Sequence, residues 1–270
     1  MPLKIKPPYL LPDPTLLPRA AFPGLVLPLE ASFVPSQVTG LFASPSVAQC
    51  RGAGLLWQDA GKTTAASADG DPVRVVRCPF TGVEFTAAVD GQRPLLKSGG
   101  GALWYLLFDG TDDFLAFAGP ASKPLSVHMS VRVTNLSLTG PAFGSPPGGQ
   151  KLKIVDPGAA NKMRAGKEGV YNWTESGTAA TVNVDFVGGV SYASTGAATY
   201  YRNAAADGVG DADVSDDTFT ANLSRIGANT TATEMLIGRV YGWAIYAAGL
   251  GANDNIRVQR WLGALAGLSL

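Results

Sequence analysis

The sequence predicts an all-β protein: a sandwich of short antiparallel strands, preceded by an extended proline-rich arm and closed by one short helix. Three observations carry this reading. Several segments alternate apolar and polar residues with a period of two, the mark of a strand with unlike faces. Clusters of Gly and Pro punctuate those segments, in a chain that holds 33 Gly and 19 Pro. Helical periodicity occurs near the C-terminus alone. Many short strands separated by such turns read as a sandwich or barrel.

The arm comes first, over residues 1–48. Ten prolines fall before residue 46, and proline removes backbone donors that a sheet ladder needs. Between them lie apolar side chains, among them Tyr9, Leu10, Leu11, Leu16, Leu17 and Phe22. A disordered tail is short of such groups, so the arm is expected to lie against its own domain or a neighbouring protein and to act as an anchor. Residues 49–270 are expected to form the sandwich domain. Within it, Leu125 to Val133 alternates for nine residues and predicts a strand with one buried and one wet face. Lys151 to Val155, Thr181 to Val187, Asp217 to Leu223 and Met235 to Tyr246 predict further strands. Turns are expected at Gly140-Pro141, Pro146-Pro147-Gly148-Gly149, Asp156-Pro157-Gly158, Gly188-Gly189 and Asp207-Gly208. The helix is read from Val258, Trp261, Leu262 and Leu265 at i, i+3, i+4 and i+7, with Asn253 or Asp254 as its cap and Gly267 at its end.

Composition narrows the function classes. Lys and Arg number 21, as do Asp and Glu, so the chain lacks the basic surplus that nucleic-acid binding needs. Near-zero net charge leaves little repulsion between copies and suits a protein that lives in an assembly. No run approaches the roughly 18 apolar residues of a membrane span. The first residues lack the apolar core of an export signal. Cys50 and Cys78 read as two buried thiols ahead of a disulfide.

The octet Phe108-Asp109-Gly110-Thr111-Asp112-Asp113-Phe114-Leu115 joins two apolar strand ends through a Gly/Asp turn. It resembles a recurring signature of laminin-G-like, concanavalin A-like jelly-roll domains. Two further blocks are similar to the same family as it occurs in bacterial and phage proteins. One is Leu55-Leu56-Trp57-Gln58-Asp59-Ala60; the other runs from Gly238-Arg239-Val240-Tyr241-Gly242-Trp243-Ala244-Ile245-Tyr246 into Val258-Gln259-Arg260-Trp261-Leu262. The resemblance implies a concanavalin A-like β-sandwich with a short C-terminal helix. It implies the octet is a structural turn braced by its first Asp, with Trp57, Trp243 and Trp261 in the core.

Chemistry was weighed within that frame. Glycosidases of this fold carry two glutamates and an aspartate close together on one strand, and two carboxylates must flank the scissile bond. Glu30, Glu84, Glu168, Glu175 and Glu234 are the glutamates of the chain, and none has an acidic residue at i+2 or i+4. His128 is the sole histidine and falls on the polar face of its strand, where a surface histidine is the ordinary reading. A calcium ion is the one metal suggested, at Asp109, Asp112 and Asp113, because carboxylates suit it and laminin-G-like domains often bind it. Trp104, Tyr105, Tyr171, Trp173, Tyr200 and Tyr201 fall near predicted turns and are candidate sugar-stacking residues.

These readings combine into an expectation. The chain is expected to be a non-enzymatic virion accessory protein of a bacteriophage — a capsid decoration, spike or fibre head — assembled in the host cytoplasm. Its arm would bind other virion proteins, its outer domain would be lectin-like, and several copies would associate. The alternative is a carbohydrate-binding adhesion module, with a polysaccharide-active enzyme behind it.

Overall fold

The computed structural model describes residues 33–120, 124–136, 140–144, 150–167, 173–192, 198–210, 224–228 and 234–270. The arm residues Tyr9, Leu10, Leu11, Leu16, Leu17 and Phe22, and the strand expected over 217–223, lie outside the described residues. The first strands are β1 (Leu41–Ala43), β2 (Leu56–Trp57), β3 (Val75–Arg77), β4 (Glu84–Thr86), β5 (Leu95–Gly100), β6 (Leu103–Asp109) and β7 (Leu115–Ala116). Then come β8 (Leu125–Val133), β9 (Gly140–Gly144), β10 (Gln150–Asp156), β11 (Lys162–Lys167) and β12 (Trp173–Ala179). The last are β13 (Asp185–Tyr192), β14 (Ala198–Arg202), β15 (Ala205–Gly210), β16 (Arg225–Ile226) and β17 (Ile237–Tyr246). Helix α1 (Val47–Gly52) precedes β2, and helix α2 (Ala252–Leu265) follows β17.

The strands form two antiparallel sheets stacked as a jelly-roll β-sandwich. One sheet runs β15-β14-β13-β8-β17-β6-β5, with β1 added on β17. The other has nine strands in the order β12-β11-β10-β9-β16-β7-β4-β3-β2. The core lies between them: Leu56, Val76, Phe85, Leu115, Phe143, Leu152 and Ile226 from the nine-stranded sheet meet Leu106, Phe108, Val127, Met129, Val131, Phe186, Val240 and Trp243 from the other. Phe85 sets its edge toward Trp243 at 5.0 Å between ring centroids, a favoured aromatic geometry. Cys50 and Cys78 are unbridged buried thiols in this core.

The outer face of the first sheet is covered. Helix α2 lays Val258 and Leu262 against Val187, Ala244 and Tyr246, with Phe33 and Val38 beside them. This changes the reading of β8. Its bounds match the alternation, and Val127, Met129, Val131 and Val133 do point into the core. Its polar residues are not wet, because Ser126, His128 and Ser130 are buried beneath the helix. Buried polar groups need partners. His128 Nε2 pairs with Asn255 Oδ1 at 2.8 Å, and Gln259 Nε2 lies 3.3 Å from His128 Nδ1. His128 is therefore a packed core histidine and not a surface one.

Other differences have local causes. Gly188 and Gly189 sit inside β13, not at a turn, because a Cβ on Gly189 would come within 2.1 Å of His128 Nδ1 and one on Gly188 within 2.5 Å of Met163 Sδ. The strand expected from Thr181 starts instead at Asp185. Gly140-Pro141 opens β9 and Asp207-Gly208 lies in β15; the hairpin turn before β15 falls at Asn203 and Ala204, both with positive φ. Asp156 does turn the chain, accepting from the Gly158 N–H at 2.9 Å. Residues 33–48, expected in the arm, are part of the sandwich: β1 pairs with β17, Phe33 and Val47 are buried, and Ser46 caps α1. Helix α2 starts at an N-cap Gly251, just before the Asn253 or Asp254 cap expected, and Gly267 closes it with φ of 75°.

Candidate functional site

With one outer face covered by α2, the outer face of the nine-stranded sheet is the broad surface left to bind something. Part of it is engaged. Across β10 and β11, Lys153 Nζ reaches Asp156 at 3.1 Å and Glu234 at 3.0 Å, and Arg164 reaches Asp156 at 3.4 Å. The open part lies over β4, β7 and β16.

Register fixes which side chains face outward there. Side chains directly opposite in an antiparallel ladder share a face. Leu56, Val76 and Phe85 pair in one row, as do Leu115, Ile226 and Phe143, and all six are core residues. Their neighbours one position away must face outward. That gives an outward row by register: Trp57 opposite Val75, Val75 opposite Thr86, Thr86 opposite Ala116, and Ala116 opposite Arg225; Val75 is itself buried and interrupts it, so the accessible stretch runs from Thr86 to Arg225. Four strand steps of about 4.8 Å make the row roughly 19 Å long. Arg77 and Glu84, also paired in register, form a second outward row beside it.

Glu84, Thr86, Ala116, Phe117, Ala118, Ser224 and Arg225 line an open groove of about 640 Å³ on this face. The small Ala116 and Ala118 make its floor, and polar side chains flank them. At one side the Arg225 guanidinium lies over the Phe114 ring, 4.3 Å from its centroid, which fixes its plane. Burial lowers the Arg225 pKa from its ordinary value. At the other side Glu84 Oε1 accepts from Lys62 Nζ at 2.6 Å and from Arg77 Nε at 2.8 Å. Burial works to raise the Glu84 pKa, but these two cations outweigh it and the carboxyl titrates below its usual range. Arg77 also sits over the Trp57 ring at 5.3 Å. Trp57, expected in the core, is thus half-buried on the outer face, whereas Trp243 is fully buried as expected.

The aromatic residues singled out from the sequence do not converge. Tyr200 is fully buried, donates to the Thr174 carbonyl at 2.6 Å and accepts from the Ala165 N–H at 2.9 Å. Tyr201 is buried with its ring 6.2 Å from His128, and Tyr105 is buried against Tyr241 at 5.6 Å. None of the three offers a face to a sugar, because strand position put each beneath protein. Trp104 is half-buried, with the Arg51 guanidinium over its ring at 3.8 Å. Tyr171 lies outside the described residues, as does the side chain of Trp173, which opens β12. The groove residues escaped notice because β7 and β16 are two residues each, too short for periodicity. The signal that was present is Glu84-Phe85-Thr86, an out-in-out alternation, opposite Arg77 across the Gly82 turn.

The acidic octet is a corner between the two sheets, since β6 and β7 belong to different sheets. Asp109, Asp112 and Asp113 do come together, with one carboxylate oxygen of each within 4.8 Å of the others. They serve the turn. Asp109 Oδ1 accepts from the Thr111 N–H at 2.7 Å, and Asp113 Oδ2 accepts from the Asp109 N–H at 2.9 Å. Gly110 has φ of 79°, and a Cβ there would lie 2.9 Å from Ile237 Cβ. Calcium takes roughly six to eight oxygens, so these three carboxylates would supply part of such a set. Asp113 is buried, and burial is the main cause of a pKa raised to about 7; the Asp109 N–H opposes it, and the charges of Asp109 and Asp112 add to it.

No family model and no curated protein sequence matches the chain. Solved structures do. A sialidase of Trypanosoma rangeli superposes with a TM-score of 0.53 at 15% identity, over 80% of this chain and 37% of that one. The same sialidase in complex with sialic acid gives 0.52 at 16% identity, over 73% and 32%. Domain 4 of the arabinanase AbnA from Geobacillus stearothermophilus, in complex with arabinotriose, gives 0.49 at 14% identity, over 81% and 98%. The chain spans about a third of the sialidase chains it matches. At this identity the likeness establishes the sandwich fold, in agreement with the laminin-G-like resemblance at the level of fold. The expected role as a virion accessory protein is corrected: the sandwich superposes on a sialidase, and no comparison supports a virion role.

Proposed function

We propose that the chain is a carbohydrate-binding module that holds a glycan along the outer face of the nine-stranded sheet without cleaving it. The observation that carries this reading is the open groove over Thr86, Ala116 and Ser224 on the outer face of this sheet. Such a groove offers small residues flanked by hydroxyl and charged groups that can fix the hydroxyls of a saccharide. Binding without cleavage is the reading that the described acids favour. Glycoside hydrolysis needs two carboxyl groups, one on each side of the bond. Among the described residues Glu84 is the one acid of the groove lining and is held by Lys62 and Arg77, while the close acids of the octet are bonded to their own backbone.

A glycan array probed with the full chain tests the reading, with Ala116→Trp as the paired variant. The indole would fill the groove floor from an outward position and leave the core untouched. Binding to at least one glycan is expected, with a loss of about tenfold or more in the variant at an unchanged melting temperature. An array with no binding, or a variant that binds as well as the parent, would overturn the proposal.

A further inference from the structure

We infer that helix α2 is an acid-released cover, held on the outer face of the first sheet by contacts that only a neutral His128 can make. The His128 ring is fully buried and meets two side chains of α2. Both of those side chains are fixed in orientation. Asn255 Nδ2 donates to the Leu250 carbonyl at 2.7 Å and to the Gly251 carbonyl at 3.0 Å. Its Oδ1 is therefore the atom that faces His128 Nε2, at 2.8 Å. Gln259 Oε1 accepts from the Ala204 N–H at 2.8 Å, and its Nε2 donates to the Tyr201 carbonyl at 3.0 Å. The remaining proton of that amide is available to His128 Nδ1, 3.3 Å away. His128 thus meets an acceptor at Nε2 and a donor at Nδ1, which selects one neutral tautomer. A proton added to Nδ1 would face an N–H.

The surroundings offer an imidazolium little. On the β13 side Gly189 presents bare backbone, and a Cβ there would lie 2.1 Å from Nδ1. On β17 the residue opposite is Ala244, with the Tyr246 hydroxyl donating away to the Pro35 carbonyl. From β14 the Tyr201 ring packs against the imidazole at 6.2 Å. Burial raises the pKa of both tyrosines, so both are neutral in acid. On α2, Asp254 and Arg257 pair with each other at 3.3 Å, and Arg260 is exposed. Burial accordingly outweighs the Asn255 bond and lowers the His128 pKa to about 4. When α2 lifts, the ring is bared and regains its ordinary affinity for a proton. Acid then favours the open form, increasingly so as pH falls from 6.5 to about 4. Release would bare Val187, Ala244 and Tyr246, an apolar strip that the closed protein keeps dry. The Asp113 corner joins β6 to β7 and stays folded when α2 alone opens, so its own titration does not enter.

Hydrogen exchange of the full chain, corrected for the intrinsic pH dependence of amide exchange, tests the release. Protection of the α2 amides is expected to fall about twentyfold between pH 7 and 5, while core amides of β6 change far less. Imidazole nitrogen NMR shifts at pH 7 should show the Nε2–H tautomer. Gln259→Glu puts an acceptor opposite Nδ1 and should remove most of the acid effect. His128→Gln should remove all of it, and melting temperatures report that each variant folds. Equal loss of protection in α2 and β6 would mean whole-molecule unfolding and overturns the inference. So does α2 protection that holds constant with pH in the parent, an Nδ1–H tautomer, or an acid effect that survives either substitution. If a variant fails to fold, the tautomer and the parent's exchange profile still decide.

Discussion

Two buried titratable side chains pull the pH response of this protein in opposite directions. His128 is fully buried, and burial lowers its pKa to about 4 against the hydrogen bond that its Nε2 donates to Asn255 Oδ1. Below the ordinary imidazole pKa the unfolded chain takes up a proton that the folded one refuses, so this group makes stability rise with pH between about 4 and 6.5. Asp113 does the reverse. Its folded pKa, raised to about 7, means the folded state keeps a proton the unfolded state has lost, so its contribution fades as pH rises from about 4 to 7. In the shared window the two slopes roughly cancel. Asp113→Asn keeps an acceptor for the Asp109 N–H and removes the titration. Urea unfolding of that variant should then show stability rising by about 2 kcal/mol between pH 5 and 7, where the parent stays nearly flat. A variant as flat as the parent would show that the two groups do not oppose each other. Neither role was legible in the sequence. His128 sat on the polar side of an alternating strand, and only the placement of α2 above it makes that side dry. Asp113 lay within a Gly/Asp turn where every acid reads as a solvated cap.

Elements differ in how far the sequence reveals them, and length is the reason. The nine residues of β8 give enough period-two pattern to set its bounds closely, and the ten of β17 show as a long apolar run. The two-residue strands β7 and β16 have no periodicity at all, yet they form the groove floor. Gly188 and Gly189 misled for a different cause: glycine signals a turn by its backbone freedom, but here it answers a close approach between β13 and β8. Gly189→Ala should accordingly lower unfolding free energy by about 2 kcal/mol, since the new Cβ meets both His128 and the Val127 carbonyl. A urea denaturation curve matching the parent would show that the contact relaxes. The Lys62–Glu84–Arg77 cluster on β3 and β4 yields a second element-scale expectation. Its pairs are partly exposed, so Glu84→Gln should change stability by about 1 kcal/mol or less. The same change should leave glycan binding in the groove largely unchanged. Weaker binding in that variant would mean Glu84 itself contacts the ligand.

At the scale of the whole molecule, function follows from which surfaces the fold consumes. Helix α2 takes one outer face. Contacts between β12 and β15, drawn close at Gly177 and Gly210, close the sandwich on one side; on the other, the 70–73 segment pairs with β5. An ion network engages the β10–β11 part of the remaining face. Among the described residues, the groove over β4, β7 and β16 is what stays open. The family blocks around Trp57, the octet and β17 made the sandwich legible because they build the corners and central strands. They could not reveal the site, because the side chains that form it meet only through pairings between segments far apart in the chain. The most direct measurement is a two-dimensional amide NMR titration of the full chain with a glycan fragment that it binds. Shifts concentrated at Glu84, Thr86, Ala116, Ser224 and Arg225 are the expected result. Shifts confined to the face covered by α2, with those five residues unmoved, would contradict the account.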